Sequence, residues 1–183
     1  MRLDHIAYRV KNRDAAVQFF TDMFGYVIQC EFEITLEDGS KAMCMALEPP
    51  EKHPHGQALE GLPFISHVSP GLDYHMAPEI FVSEGPPGSL IDRWVNEWGR
   101  GVGAVHHLAY EVGDVKATMD QWQAKGILFT TPEPLHCDDL VQVFTQPHPI
   151  TGIIYEFIER KGQHGFCKDN VAKLMASTAH LVS

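Results

Sequence analysis

Two histidines in a repeated segment are the residues of this chain whose type and spacing best fit chemistry. Residues 3–10 read LDHIAYRV and residues 105–112 read VHHLAYEV. The segments align as His-x-Ala-Tyr-x-Val and place His5 and His107 102 residues apart, which indicates a duplicated module. The histidine is the polar side chain that both copies place on the same strand face. We therefore interpret the pair as part of a metal site shared by two halves of the chain.

Glu156 is the third candidate ligand, because it interrupts an apolar strand. Residues 153–158 read IIYEFI, and an ionised carboxylate removed from water without a partner costs several kcal/mol. A divalent cation offsets that cost and binds both imidazoles in their neutral form. Two histidines and one carboxylate with open coordination positions form the facial triad of ferrous oxygenases.

Each candidate also has a structural interpretation. A single strand histidine is most often a hydrogen-bonded core or rim residue, and Glu156 also fits an exposed edge or a pair with Arg160. His106 is a rival of His107, but strand parity with the first copy favours His107. Glu79 is a candidate fourth ligand, although an exposed strand start is the simpler account of it. The matched positions in the repeat favour the metal site.

The composition limits the class of protein. A chain of 183 residues fits one domain, or two small modules that share a core. The net charge of −10, with no basic block, argues against a nucleic-acid or anionic-membrane partner. No apolar run has transmembrane length, and the charged start is not typical of a signal peptide. The four cysteines lack CxxC spacing, so we expect reduced thiols in a cytoplasmic protein.

The elements that position the candidate ligands occur in the same order in both halves. Hydrophobic alternation and helix caps predict a βαβββ module at about 1–100 and a second at about 101–160, within one domain of 1–183. A C-terminal helix is predicted at about 168–181. We therefore predict an α+β fold in which two βαβββ modules form a curled mixed sheet around a metal cavity. The predicted strands of the second module lie at 104–112, 127–131, 140–145 and 153–158.

Residues 49–76 interrupt the first module. The segment is rich in proline and glycine and contains several histidines, which is typical of a long loop or lid. An irregular surface excursion explains the same composition, so the sequence leaves the role of this segment open.

The residues and their order resemble a known family. The doubled βαβββ order and the His-x-Ala starts resemble the vicinal oxygen chelate superfamily, which includes glyoxalases, extradiol dioxygenases and methylmalonyl-CoA epimerases. The C-terminal third resembles the end of 4-hydroxyphenylpyruvate dioxygenases in VQVFTQP at 141–147, YEFIERKGQHGF at 155–166, and Asn170. The resemblance extends over most of the chain, but only to the catalytic C-terminal half of those enzymes.

This resemblance implies roles for individual residues. His5, His107 and Glu156 match the iron ligands of the family. The residues that match the family's substrate pocket are Gln142, Ser83 and Phe166, and the helix after Asn170 matches the one that closes over the site. By pattern alone, Gln142 fits a structural role equally well. The family's Gly-Phe-Gly-x-Gly-Asn becomes GFCKDN at 165–170, which puts the substrate more in question than the metal.

The resemblance implies a non-haem iron(II) dioxygenase that takes a 2-oxo acid and O₂. The same triad accepts cobalt, manganese, nickel or zinc, so the native metal stays open. One alternative is a metal-dependent epimerase or lyase that works through an enolate, with Glu79 as a fourth ligand. Another is a binding module without catalysis, as in antibiotic-sequestering members of the fold. A chain of this length is compatible with a homodimer.

Overall fold

A computed structural model of the chain describes residues 1–36, 38–49, 77–137, 140–161 and 165–182. The predicted loop at 49–76 lies outside these residues, apart from Pro49, and so do its histidines. No helix within the described residues is both long and apolar enough to cross a membrane.

Both halves have the predicted βαβββ order. The first half contains β1 (Arg2–Val10), α1 (Arg13–Phe24), β2 (Val27–Thr35), β3 (Lys41–Glu48), β4 (Glu79–Glu84) and an additional helix, α2 (Leu90–Glu97). The second half contains β5 (Gly103–Glu111), α3 (Val115–Gln123), β6 (Leu135–Cys137), β7 (Leu140–Phe144) and β8 (Ile154–Arg160). The C-terminal helix α4 (Lys168–Ser177) precedes a short 3₁₀ helix at Ala179–Leu181.

The strands form one curled mixed sheet, which confirms the predicted α+β fold. Their order is β2-β3-β4-β1-β5-β8-β7-β6, so the two halves meet at the antiparallel pair β1 and β5. Each of these strands pairs on its other side, in parallel, with the last strand of its own half, β4 or β8. The candidate ligands therefore lie on three adjacent strands at the centre of the sheet: His5 on β1, His107 on β5 and Glu156 on β8.

Residues that favour helix ends set the limits of helix α1, and helix α4 packs against the sheet. The Asn12 side chain accepts a hydrogen bond from the backbone N–H of Ala15 and caps α1. Gly25 ends α1 at φ 71°, a left-handed conformation that glycine adopts without a steric penalty. Helix α4 packs on the inner face of the sheet, where Val171 and Met175 join a buried cluster that includes residues of β1 and β4.

The predicted strand at 127–131 is wrong. Phe129 forms only an isolated bridge with Thr145, and the short strand that follows α3 is β6 at Leu135–Cys137. The side chain of Leu128 is exposed, so the apolar run that suggested a strand is not buried on both faces. Pro132 and Pro134 follow directly, and proline lacks the N–H that a sheet ladder needs.

The expectation of four reduced cysteines is also wrong. Cys137, at the end of β6, forms a disulfide with Cys167, which is the N-cap residue of α4. The two residues are 30 positions apart and have no recognisable spacing, so only the packing of α4 against β6 reveals the pair. Cys30 and Cys44 are free thiols. Cysteine usage therefore gives no support to a reducing compartment for this chain.

The disulfide predicts a redox-dependent stability. Because it closes a loop of 30 residues, reduction or a Cys137→Ser/Cys167→Ser double variant should lower the free energy of unfolding by about 3.6 kcal/mol. Urea denaturation with and without dithiothreitol measures this change. Cys30→Ser, which removes a free thiol, is the matched control and should leave the dithiothreitol effect intact. Equal unfolding midpoints in both conditions would show that the bond does not stabilise the fold.

Candidate metal centre

Three ligand atoms from three strands converge at the centre of the sheet. His5 Nε2 lies 3.2 Å from His107 Nε2, and Glu156 Oε2 lies 3.3 Å from the first nitrogen and 3.0 Å from the second. All three side chains are buried. Among the described residues, this is the one group of three or more histidine, cysteine or acidic side chains placed to hold a metal ion.

The strand register explains the convergence. His5 and Glu156 both lie opposite Ala109, one on each side of it, while His107 lies opposite Ala7. Directly opposed residues of a sheet point to the same face. The alanine of each His-x-Ala motif thus places a methyl group where a larger side chain would occupy the space between ligands.

The spacing of the donor atoms fits a divalent ion. Two ligands at about 2.1 Å from an ion, at right angles to each other, lie about 3.0 Å apart. The observed separations of 3.0–3.3 Å match that arrangement for all three pairs. Two imidazole nitrogens and one carboxylate oxygen on one side of an ion form the 2-His-1-carboxylate set, which leaves the opposite side open.

Each ligand is held by a second polar group. Asp4 Oδ2 accepts a hydrogen bond from His5 Nδ1 at 2.8 Å, and Arg160 holds Asp4 through two hydrogen bonds. His107 Nδ1 lies 2.8 Å from His106 Nδ1. Such outer partners fix the orientation and tautomer of a ligand.

Glu156 is held in the same way, through a chain of amides. Gln142 Nε2 donates to Glu156 Oε1 at 2.7 Å, and Asn170 Nδ2 donates to Gln142 Oε1 at 3.0 Å. This leaves Glu156 Oε2 as the oxygen that faces the histidines. Helix α4, which carries Asn170, is therefore linked to the candidate ligand Glu156.

The ionisation of the site is set by these neighbours. Burial opposes the charge on His5, but Glu156 and Asp4 outweigh it and raise the pKa of His5 to about 9 in the protein without metal. Burial also opposes the charge on Glu156, but His5 and His107 lower the pKa of that carboxyl to about 2. Burial lowers the pKa of His107. At neutral pH the site thus holds one imidazolium, one neutral imidazole and one carboxylate.

The three other predicted site residues line the same pocket. Phe166 packs edge-on against His5, with ring centroids 5.0 Å apart. The Ser83 hydroxyl donates to the backbone carbonyl of Tyr8 at 3.3 Å. Both ends of the Gln142 amide are engaged, with Glu156 and Asn170, so its predicted contact with substrate stays a prediction.

Glu79 is buried next to the three candidate ligands. It lies directly opposite His5 on β4, and its Oε2 is 4.0 Å from Arg160 Nη2. The cluster of candidate ligand atoms does not include its carboxylate. The predicted alternative, an exposed strand start, is wrong because Glu79 is 1% exposed.

Sequence reasoning missed the residues that support the ligands. Asp4 precedes the first ligand and His106 precedes the second, so adjacency to a ligand was the available signal for both. The sequence pattern suggests Arg160 as a partner of Glu156, whereas in the structure it pairs with Asp4. Arg9 is buried and lines the pocket, and the sequence pattern does not predict this position.

The pocket beside the ligands is narrow and mostly apolar. Its walls are the rings of Phe81, Phe144 and Phe166 together with the α4 side chains Val171, Leu174 and Met175. The cavity volume is about 30 Å³, which is about the volume of one water molecule.

Comparison with known protein families gives one match. The sequence profile of the Glyoxalase/Bleomycin resistance protein/Dioxygenase superfamily matches residues 2–156, a range that contains all three candidate ligands. A search of curated protein sequences gave no significant match.

Solved structures share the fold at low sequence identity. A variant of 4-hydroxymandelate synthase from Streptomyces coelicolor matches with a TM-score of 0.72 and 18% identity, over 98% of this chain and 54% of that one. This chain thus spans about half the length of that enzyme. Methylmalonyl-CoA epimerase from Mycobacterium tuberculosis matches with a TM-score of 0.60 and 17% identity, over 87% of each chain. The Streptomyces coelicolor epimerase, as a variant, gives 0.59 and 20%, over 88% of this chain and 99% of that one.

The raised pKa of His5 predicts pH-dependent metal binding. His5 must lose its proton before Nε2 binds an ion, and its pKa in the protein without metal is about 9. The affinity for Zn²⁺ should therefore rise roughly tenfold per pH unit from pH 7 to about 9 and then level off. Metal-buffered titrations at each pH measure this affinity, with circular dichroism as the control for folding. An affinity that stays constant from pH 7 to 9 would show that His5 is already neutral.

Proposed function

The chain belongs to the glyoxalase/bleomycin resistance protein/dioxygenase superfamily, and we propose that it is a non-haem iron(II) dioxygenase that oxidises a 2-oxo acid, similar to 4-hydroxyphenylpyruvate dioxygenase. His5, His107 and Glu156 would hold the ion. When bound, iron(II) supplies open coordination positions for a 2-oxo acid and O₂, and electrons for oxidative decarboxylation.

The three-ligand cluster is the observation that carries this proposal. A fourth protein ligand would occupy one of the positions that a chelating 2-oxo acid and O₂ need together. Among the described residues, no fourth histidine, cysteine or carboxylate joins the group. The donor set of two imidazoles and one carboxylate is also the one that ferrous oxygenases use.

The residues around the ligands would prepare the site before any substrate arrives. Asp4 and His106 orient the two imidazoles, and Gln142 fixes one oxygen of Glu156. Since these groups are buried and already hydrogen-bonded, little reorganisation is needed when charge changes at the centre. In this state Gln142 acts as a positioning residue for Glu156.

The aromatic wall would exclude water and hold the organic part of the substrate. The ring centroids of Phe81 and Phe166 are 4.9 Å apart, and Phe144 packs on His107 at 4.6 Å. A closed apolar wall protects reactive species from side reactions with water. Phe166 would pack on the hydrocarbon part of the acid, and the Ser83 hydroxyl on the pocket lining would orient a polar group of the acid through a hydrogen bond.

The second candidate is an epimerase or lyase, and the position of Glu79 favours it. This buried carboxylate lies directly across from His5 on the same face of the sheet. A rotation of its side chain away from Arg160 would bring a fourth donor towards the centre. Likeness of fold does not choose between the candidates, because the hydroxymandelate synthase and the epimerases both share it at or below 20% identity.

Oxygen uptake tests the dioxygenase proposal. Protein loaded with iron(II) under anaerobic conditions should consume O₂ only when a 2-oxo acid is present. Glu156→Ala should reduce the rate at least roughly 100-fold, because it removes a ligand rather than an outer partner. Glu133→Ala, which removes an exposed carboxylate outside the pocket, is the matched control and should retain the wild-type rate. No uptake with any 2-oxo acid, despite one bound metal per chain, would reject the proposal.

A Glu79→Ala variant separates the two candidates. If three ligands hold the metal, the affinity for Co²⁺ should change by less than about threefold. If Glu79 is a fourth ligand, the affinity should fall more than about tenfold. Equilibrium titration against a chelator gives the affinity, and the thermal unfolding curve shows whether the variant is folded. A large loss of affinity in a folded variant would favour the epimerase or lyase.

A further inference from the structure

Arg9 is a buried cation for which the described residues provide no anion. Its side chain is 1% exposed and lines the pocket that contains the metal ligands. Arg9 Nη2 donates to Thr178 Oγ1 at 3.2 Å, whereas Nη1 is buried and has no hydrogen-bond partner among the described residues. By contrast, the buried guanidinium of Arg160 is paired with Asp4 at 2.8 Å.

The neighbours of Arg9 on the sheet are neutral. Ser83 and Ala104 lie directly opposite it on the two flanking strands, and Cys44 follows on the next strand. Burial raises the pKa of the Cys44 thiol to about 12, so this group carries no charge at neutral pH. The guanidinium carbon also lies over the Trp94 ring, 5.6 Å from its centroid. None of these groups balances a buried charge, which is stable only when it is paired.

Burial also acts on Arg9 itself. It lowers the pKa of Arg9 to about 9, which is the direction expected for a desolvated cation without a counter-ion. The side chain is nevertheless charged at neutral pH. An anionic ligand would satisfy both the charge and the free Nη1 donor.

A second buried polar atom lies in the lining of the same pocket. His106 is buried there, with its Nδ1 2.8 Å from His107 Nδ1. Its Nε2 has no hydrogen-bond partner among the residues that the structure describes. The pocket therefore offers a ligand a second polar contact beside the Nη1 donor of Arg9.

When a 2-oxo acid with a single carboxylate binds, the charges at the metal end cancel and the positive charge of Arg9 has no counter-ion. A divalent ion with Glu156 carries one net positive charge, which the carboxylate next to the keto group neutralises. Arg9 is four residues from His5 on the same face of β1, so their Cα atoms are about 13 Å apart. Both side chains line the pocket, so a linear acid of a few carbons can extend from one towards the other.

Resting on the proposed function, we infer that Arg9 binds a second carboxylate at the end of the substrate remote from the metal. The substrate class is therefore a 2-oxo dicarboxylic acid of five or six carbons. The planar guanidinium matches the two oxygens of a carboxylate, and the narrow apolar pocket excludes larger anions such as nucleotides.

Matched ligands test this assignment without turnover. Isothermal titration of the Zn²⁺-loaded protein would compare 2-oxohexanedioate with 2-oxohexanoate, which has a methyl group in place of the distal carboxylate. Wild-type protein should bind the dicarboxylate at least roughly tenfold more tightly. Arg9→Met should weaken the dicarboxylate at least roughly tenfold and change the monocarboxylate by less than about threefold. Arg100→Met, at an exposed arginine, is the control and should preserve the preference.

Thermal stability separates ligand binding from a structural role. Arg9→Met removes a buried charge without an acidic partner, so its melting temperature should equal or exceed that of the wild type. Equal affinity of wild-type protein for the two acids, or binding of neither, would overturn the inference. A lower melting temperature with both acids weakened to the same extent would also overturn it, by showing that Arg9 supports the fold.

The outcome is distinguishable from failure of the proposed function, because zinc does not activate O₂. A dicarboxylate preference that depends on Arg9, without oxygen uptake by the iron-loaded protein, would retain the carboxylate site and reject the dioxygenase. Oxygen uptake that is equal with dicarboxylic and monocarboxylic acids would retain the dioxygenase and reject the site.

Discussion

Two imidazoles and a carboxylate buried within 3.3 Å of one another are the constraint on which the rest of this structure depends. Such a group is costly inside a protein unless each member is oriented and its charge is balanced. The duplicated fold provides the orientation, because β1, β5 and β8 are adjacent and their registers align the ligands with the two small alanines. A metal ion would provide the remaining charge balance.

The charges around the centre are arranged in two unlike ways. On one side, Asp4 and Arg160 form a closed pair that holds His5, and both carboxylate oxygens are engaged. This pair is complete without a ligand, so its role is to orient. On the other side, Arg9 and His106 each have a buried nitrogen without a hydrogen-bond partner in the part of the chain that the structure describes. We therefore assign Asp4 and Arg160 to the support of His5, and Arg9 and His106 to the recognition of a ligand.

Helix α4 forms part of the pocket wall and is also covalently attached to the sheet. Its apolar side chains cover the pocket, and its Asn170 reaches Glu156 through Gln142. Its N-terminus is tied to β6 by the Cys137–Cys167 disulfide. The same helix therefore contributes to the pocket wall, to the support of Glu156 and to a covalent link with β6.

The sequence by itself determined the repeated module, the α+β class and the three candidate ligands. These follow from periodicity, from a repeated His-x-Ala pattern and from one carboxylate in an apolar strand, all of which are local signals. Strand parity also chose His107 over His106, in agreement with the geometry of the cluster. The strand at 127–131 failed because an apolar run does not reveal whether both of its faces are buried.

Only the tertiary structure decided how distant residues pair. The Cys137–Cys167 bond, the Asp4–Arg160 pair and the amide chain from Asn170 to Glu156 all join segments that are far apart in the chain. The burial of Glu79 and the missing partner of Arg9 belong to the same class. The physical reason is that hydrogen-bond satisfaction and charge balance depend on which strands are neighbours, and no local pattern in the sequence records the register between them.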